Sequence, residues 1–149
     1  MHTTQEVVMA TPELTLPQLL AGLKHPDRAE RLAAALVLGQ MGRAARKAVP
    51  TLIETLKDKD RQVRKAAVLA LGDLGPDARE AVSALAERLL NDEEAIIRRR
   101  AAVALGRIDT QEAVPALEEA HLHDDNPGVQ AVTAAALAEI DAKPVRKAA

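Results

Sequence analysis

The chain has 149 residues, with 20 Lys or Arg against 22 Asp or Glu, a formal net charge of −2. Near neutrality removes the electrostatic case for a dedicated nucleic-acid or membrane-surface protein, and the absence of Cys excludes disulfides and thiolate metal sites. Phe, Tyr and Trp are also absent while Ala occurs 31 times, so the core must be aliphatic and its helices closely spaced.

The first stretch, "MHTTQEVVMATPEL", has neither the basic nor the apolar region of a secretory signal. No run approaches the ~20 apolar residues of a membrane span. A cytoplasmic chain is the expectation, with residues 1–14 a loosely held arm or partial cap. From there three landmarks recur together. Helix openings "TLPQLL", "AVPTLI", "AVSALA" and "AVPALE" place Pro17, Pro50, Ser83 and Pro115 at intervals of 33, 33 and 32 residues. Polar turns follow as "KHPD", "KDKD", "NDEE" and "DDNP". A small residue then comes late in the next segment, Gly39, Gly72, Gly106 and Ala138. A period of this length marks a stacked repeat, and four units are predicted, about 15–42, 43–75, 76–108 and 109–141, with a frayed tail at 142–149.

Within a unit the first segment carries one apolar stripe, as in Leu16, Leu19, Leu20 and Leu23, or Val49, Leu52, Ile53 and Leu56. Pro is tolerated in such a helix only in its first turn, where it stands here. The second segment gives Val63, Ala66, Ala67, Ala70, Leu71 and Leu74 on one face. Each unit is thus a helical hairpin that buries its stripe only against its neighbours, and no alternating strand pattern interrupts them. The predicted fold is an all-α solenoid of four stacked hairpins.

The second helix is written almost twice, as "RKAAVLALGDLG" at 64–75 and "RRAAVALGRID" at 99–109. With the turn before it, "DKDRQVRKAAVLALGDLG" resembles the HEAT-like repeats of bacterial bilin-lyase subunits, matching at Asp60, Val63, Arg64, Ala66, Ala67, Leu71 and Gly72. The resemblance runs over roughly residues 15–141. It implies a ladder across repeats built from a turn acid and the Arg four residues later, Asp27 with Arg31, Asp60 with Arg64 and Glu94 with Arg98. Unit four has Asn126 and Gln130 in these places, so the ladder is expected to stop there. Unit one has Glu30 where the others have Val63, Ile97 and Val129, as suits an end unit that faces water.

Catalytic arrangements find little support. In "EEAHLHDD", Glu118 and His121 share a helix face, and His123, Asp124 and Asp125 follow in the turn. An E-x-x-H pair is half of a di-metal carboxylate site, and the other half is missing. Metal-dependent hydroxylases with HEAT-like repeats use repeated His-Glu pairs, and the sequence contains none. Glycines come singly, not in a phosphate-binding loop. The inventory predicts no catalytic residues, no metal, no cofactor and no enzymatic activity. Arg100 falls where Ala66 and Val132 stand on the inner stripe, and packing of its methylenes with the guanidinium turned outward is the expectation.

A binding role is more legible. Residues 43–75 carry net +4 and residues 109–141 net −8, so charge is polarised along the array. The resemblance implies that second helices line a concave surface. There the outward row reads Leu32, Leu36, Lys65, Leu69, Arg99 and Val103, apolar residues flanked by cations, which suits a protein or peptide partner; the alternative is that Leu36, Leu69 and Val103 pack between neighbouring second helices. An accessory subunit in cofactor handling of the bilin-lyase type is the alternative implied by the resemblance. Nucleic-acid binding through the basic middle repeats is disfavoured by the acidic last unit and by the lack of stacking aromatics.

Overall fold

The computed structural model describes residues 14–141. The arm and the tail expected at the termini lie outside the described residues, Leu14 excepted. The described residues form eight α-helices, α1 (Leu16–Leu23), α2 (Arg28–Gln40), α3 (Val49–Thr55), α4 (Arg61–Leu74), α5 (Val82–Asn91), α6 (Ala95–Ile108), α7 (Val114–His123) and α8 (Pro127–Asp141). They pair in order as four antiparallel hairpins. Three 3-10 segments, Gly42–Ala48, Gly75–Ala81 and Gln111–Ala113, link one hairpin to the next. There is no strand among the described residues.

Local chemistry sets these boundaries. Thr15 opens α1 through a capping box: the Thr15 N–H donates to Gln18 Oε1 at 2.8 Å, and the Gln18 N–H donates back to Thr15 Oγ1 at 3.4 Å. Asp27 and Asp60 cap α2 and α4 by accepting first-turn N–H groups. Pro17, Pro50 and Pro115 lie in the first turns of α1, α3 and α7, where a missing N–H costs little. At the other end α4 stops at Gly75, whose φ of +56° and ψ of −134° suit a residue without a side chain.

Packing is continuous from hairpin to hairpin. Leu52, Leu56, Leu71, Leu85, Leu89 and Leu105 are buried to within 1%, and each contributes about 1.5–3 kcal/mol relative to exposure. The second helices contact one another much more extensively than the first helices do. Their spacing is set by small residues: a Cβ added at Gly39 would stand 3.7 Å from Ala70, one at Gly72 3.1 Å from Ala104 Cβ, and one at Gly106 3.0 Å from Ala136 Cβ. Closer approach on the second-helix side than on the first-helix side makes α2, α4, α6 and α8 one continuous layer.

The first and last described units differ from those between them. Val63, Ile97 and Val129 are fully buried against the preceding unit, whereas Glu30, at the same place in α2, is exposed. Unit four ends the series with Ala138 exposed where Gly72 and Gly106 are covered.

Candidate functional site

The N-terminal ends of the second helices are fixed by a ladder of bidentate ion pairs. Arg31 donates from Nε and Nη2 to Asp58 at 2.7 and 3.2 Å, Arg64 to Asp92 at 3.0 and 3.3 Å, and Arg98 to Asp124 at 2.8 and 3.3 Å. Each pair ties one unit to the turn of the next. The third guanidinium nitrogen reaches back to carbonyls of its own turn, those of His25 and Pro26, of Asp58 and Lys59, and of Asp92. Each carboxylate also accepts the N–H two residues on, at 2.9 Å in every case. Asp92 is the most enclosed, with no exposed side-chain surface and a further bond from Arg88 at 3.2 Å.

This corrects the pairing expected from the sequence. Asp27 and Asp60 turn their carboxylates toward the first-turn N–H groups of their own helices, and Glu94 meets Arg61 of the preceding unit at 3.5 Å. The ladder acids are therefore Asp58, Asp92 and Asp124. It ends as foreseen in unit four, where Gln130 donates to the Asp124 carbonyl at 2.7 Å and reaches no further unit. At the other end His25 occupies the ladder-acid position, its Nδ1 accepting the Asp27 N–H at 3.0 Å.

Charge states follow. The hydrogen bond from Arg31 to Asp58 holds the guanidinium above its ordinary range, and that from Arg98 to Asp124 does the same, each against a desolvation that lowers it. The Val63 N–H, assisted by that of Gln62 and by Arg28, draws the Asp60 carboxyl below its ordinary value. At Asp124 burial opposes ionisation, but Arg98 and the Asn126 N–H outweigh it and the carboxyl also lies low.

With these ends anchored, the wall of second helices presents what packing leaves over. Leu36 and Ile96 are 48% and 41% exposed. Leu32, Lys65, Leu69 and Val103 are half-buried and Arg99 is exposed. Between α4 and α6 lie two shallow depressions. One, of about 90 Å³, is lined by Arg61, Gln62, Lys65, Glu94, Ile96 and Ile97. The other, of about 20 Å³, has buried Gly72 and Ala104 beneath Leu69 and Val103, with exposed Arg100 and Arg107 beside them. Arg61 and Arg107 are engaged, by Glu94 at 3.5 Å and Asp73 at 2.9 Å. Lys65, Arg99 and Arg100 form no ion pair among the described residues.

Arg100 is thus not a packing residue of the inner stripe but a solvent-facing member of this wall, and Ile96 and Arg107 join it. The signal was present in "RRR" at 98–100. Consecutive helical residues point about 100° apart, so only Arg98 can face the ladder.

The cluster in unit four takes up other tasks. Glu118 and His121 are both exposed, and His121 Nδ1–H donates to the Gln130 carbonyl at 3.1 Å. Asp124 serves the ladder. No group of three or more His, Asp or Glu among the described residues is placed to hold a metal ion. No helix among them is long and apolar enough to cross a membrane.

The pattern of HEAT repeats matches residues 16–100 and 77–138. No curated protein matches the chain by sequence. Among solved structures, a designed armadillo repeat protein in complex with the peptide (KR)4 is similar at 25% identity over 84% of this chain, with a TM-score of 0.68. Human deoxyhypusine hydroxylase, in complex with glycerol, is similar at 28% identity over 89% of this chain, with a TM-score of 0.73. The complex of CpcE and CpcF of phycocyanin lyase from Nostoc shares the fold at 21% identity, covering 82% of this chain and 97% of that one, with a TM-score of 0.57. The chain spans 64% of the designed protein, 63% of a further engineered one and 45% of the hydroxylase. The expectation of a chain without enzymatic activity is corrected by these neighbours, since a hydroxylase and a lyase are built on the same stack. Helix packing, which dominates the residue inventory, leaves catalysis undecided. Periodic hairpins, the small-residue spine and the matched residues agree: the chain belongs to the HEAT-repeat family.

Proposed function

We propose that this HEAT-repeat scaffold is a protein-interaction module that holds a partner protein or peptide in its concave groove, through Leu32, Leu36, Lys65, Leu69, Arg99 and Val103. The observation that carries the reading is the juxtaposition of partly exposed aliphatic side chains with cations that have no partner of their own, on a wall fixed by buried ion pairs. A rigid wall loses little entropy when a partner docks. The designed armadillo protein with its bound peptide supports it, as a similar stack that receives a peptide. The test is capture of a partner by the wild-type chain, identified by mass spectrometry, against the double variant Lys65→Glu, Leu69→Ser. Capture should be lost while the helical circular dichroism is unchanged; capture that survives places the interface elsewhere.

A second reading, an accessory subunit in cofactor handling, is favoured by the similarity to the phycocyanin lyase complex. It calls for a second solenoid subunit and a chromophore pocket. The groove offers no aromatic side chain to line one, since the sequence contains none. Binding of a bilin to the chain together with such a subunit, read by its visible absorption, would favour it over the peptide groove.

A further inference from the structure

We infer that the partner held by this groove is an acidic amphipathic helix, with two apolar side chains seven residues apart and carboxylates between them. The inference rests on the groove reading above and adds the partner's charge, conformation and register.

Charge comes first. Lys65 and Arg99 stand at equivalent places in consecutive units, Arg100 adjoins them, and none has an anionic partner among the described residues. Lys65 lines the larger depression between α4 and α6 and Arg100 the smaller, while Arg99 reaches toward α8, its Cδ 3.9 Å from the place of a Cβ on Gly128; these charges are uncompensated until something anionic covers them. The designed armadillo protein that this stack resembles holds a peptide of the opposite sign, (KR)4. A basic peptide here would meet like charges at the centre of the groove.

Register comes next. The larger depression is walled by Gln62 and Ile96, the smaller by Leu69 and Val103. On both α4 and α6 the two seats are seven residues apart, about 10.5 Å at 1.5 Å per residue. Lys65 follows Gln62 by three residues, and Arg99 and Arg100 follow Ile96 by three and four, so that Lys65 borders the larger seat and Arg100 the smaller. A helix laid along α4 and α6 therefore presents apolar residues at i and i+7 to the seats and acidic residues at i+3 and i+4 to the cations, all on one face.

Conformation follows from what the wall does not offer. An extended peptide leaves its backbone N–H and C=O groups to be satisfied by the groove. Apart from the Gln62 amide at one end, this wall supplies aliphatic surface and cationic donors, and its carboxylates Glu94 and Asp73 are engaged by Arg61 and Arg107. A helix satisfies its own backbone. Nucleic acid is disfavoured on the same wall, because those carboxylates flank the patch and no aromatic ring exists to stack on a base.

The test is a peptide-display selection with randomised 14-residue segments against the full chain, with enriched peptides measured by fluorescence anisotropy. Enrichment of apolar residues seven apart with acids between them is expected. Their affinity should fall at least tenfold on Arg99→Glu, Arg100→Glu and on Leu69→Ser, and should weaken as salt is raised. Selection against Arg99→Glu, Arg100→Glu should turn the preference toward basic residues. Arg99→Ala, Arg100→Ala serves in its place if the reversal disturbs folding by circular dichroism. Enriched basic or neutral peptides that still need Leu69 would overturn the inference and leave the groove reading standing. Peptides insensitive to Leu69→Ser, or no enrichment, would overturn both. A generic DNA duplex that competes at low salt through Arg99 and Arg100 more strongly than any acidic peptide would overturn it in favour of nucleic acid.

Discussion

The small-residue spine between second helices allows the same substitution to be tried at two equivalent places with opposite expected signs. Gly39 and Gly72 occupy the same position in α2 and α4, each near the helix C-terminus. Replacing either with Ala gains the same helix propensity, at most ~0.8–1.0 kcal/mol. The surroundings differ. A Cβ at Gly39 would meet Ala70 Cα and Cβ at 3.7 Å, an ordinary contact. At Gly72 it would stand 3.2 Å from Ala104 Cα and 3.1 Å from its Cβ, so the α6 backbone must move by a few tenths of an ångström. It has little room, because Gly106 on α6 lies equally close to Ala136 of α8.

Overpacking of this kind costs ~1–3 kcal/mol and outweighs the propensity gain. Gly39→Ala should therefore raise the melting temperature by about 2–4 °C per kcal/mol gained, and Gly72→Ala should lower it by a comparable or larger step. Thermal unfolding followed at 222 nm, with urea titration for the free energy, reads both. If both variants are stabilised, or both destabilised alike, inter-helix distance does not govern this spine and the account of its packing fails with it.

Two further outcomes follow from the ladder. Asp92→Ala would take the bidentate partner from the Arg64 guanidinium, whose side chain is only 7% exposed, leaving it Glu93 at 3.6 Å and the Asp58 and Lys59 carbonyls, and should cost about 1–3 kcal/mol in urea unfolding; a loss under 1 kcal/mol would mean that these and water replace Asp92 fully. Asp60 and Asp124 have carboxyls held below their ordinary value of 3.8, so their contribution is present above the unfolded-state value near 3.9 and is lost as pH falls through the lower folded value. Urea midpoints measured from pH 6 down to 2.5 should decline below about pH 4, and Asp124→Asn should lessen that decline; an unchanged slope in the variant would remove Asp124 as a source.

The fold was legible because burial acts on every unit alike. The stripe Val63, Ala66, Ala67, Ala70, Leu71 and Leu74 is buried throughout, and Gly72 and Gly106, late in their second helices, stand at close inter-helix approaches. Ion-pair partners were less legible. Asp58, Asp60 and Arg64 are all close in sequence, and which carboxylate turns to the N–H groups and which to a guanidinium depends on three-dimensional direction. The proposed row Leu32, Leu36, Lys65, Leu69, Arg99 and Val103 follows from subtracting the buried stripe. Ile96, Arg100 and Arg107 were missed because Arg100 matches buried Ala66 in the alignment, while the depression beside it exists only where Gly72 and Ala104 bring two helices together.

The repeats themselves separate what packing dictates from what it leaves free. At one position of the second helices stand Leu38, Leu71, Leu105 and Leu137, the first three buried to within 1%. At another stand Leu32, Lys65, Arg99 and Ala131, none of them buried. Both positions pass through the same helix geometry, so a demand of the fold would appear at both as uniformity. Only the buried one is uniform. The cations at Lys65 and Arg99 thus answer to no requirement of stacking, and their patch also carries a self-repulsion that a neutral residue such as Ala131 avoids. A groove whose centre is charged at the expense of its own electrostatics, on a wall anchored by bidentate pairs at the N-terminal ends of its helices, is what the proposed anionic partner requires.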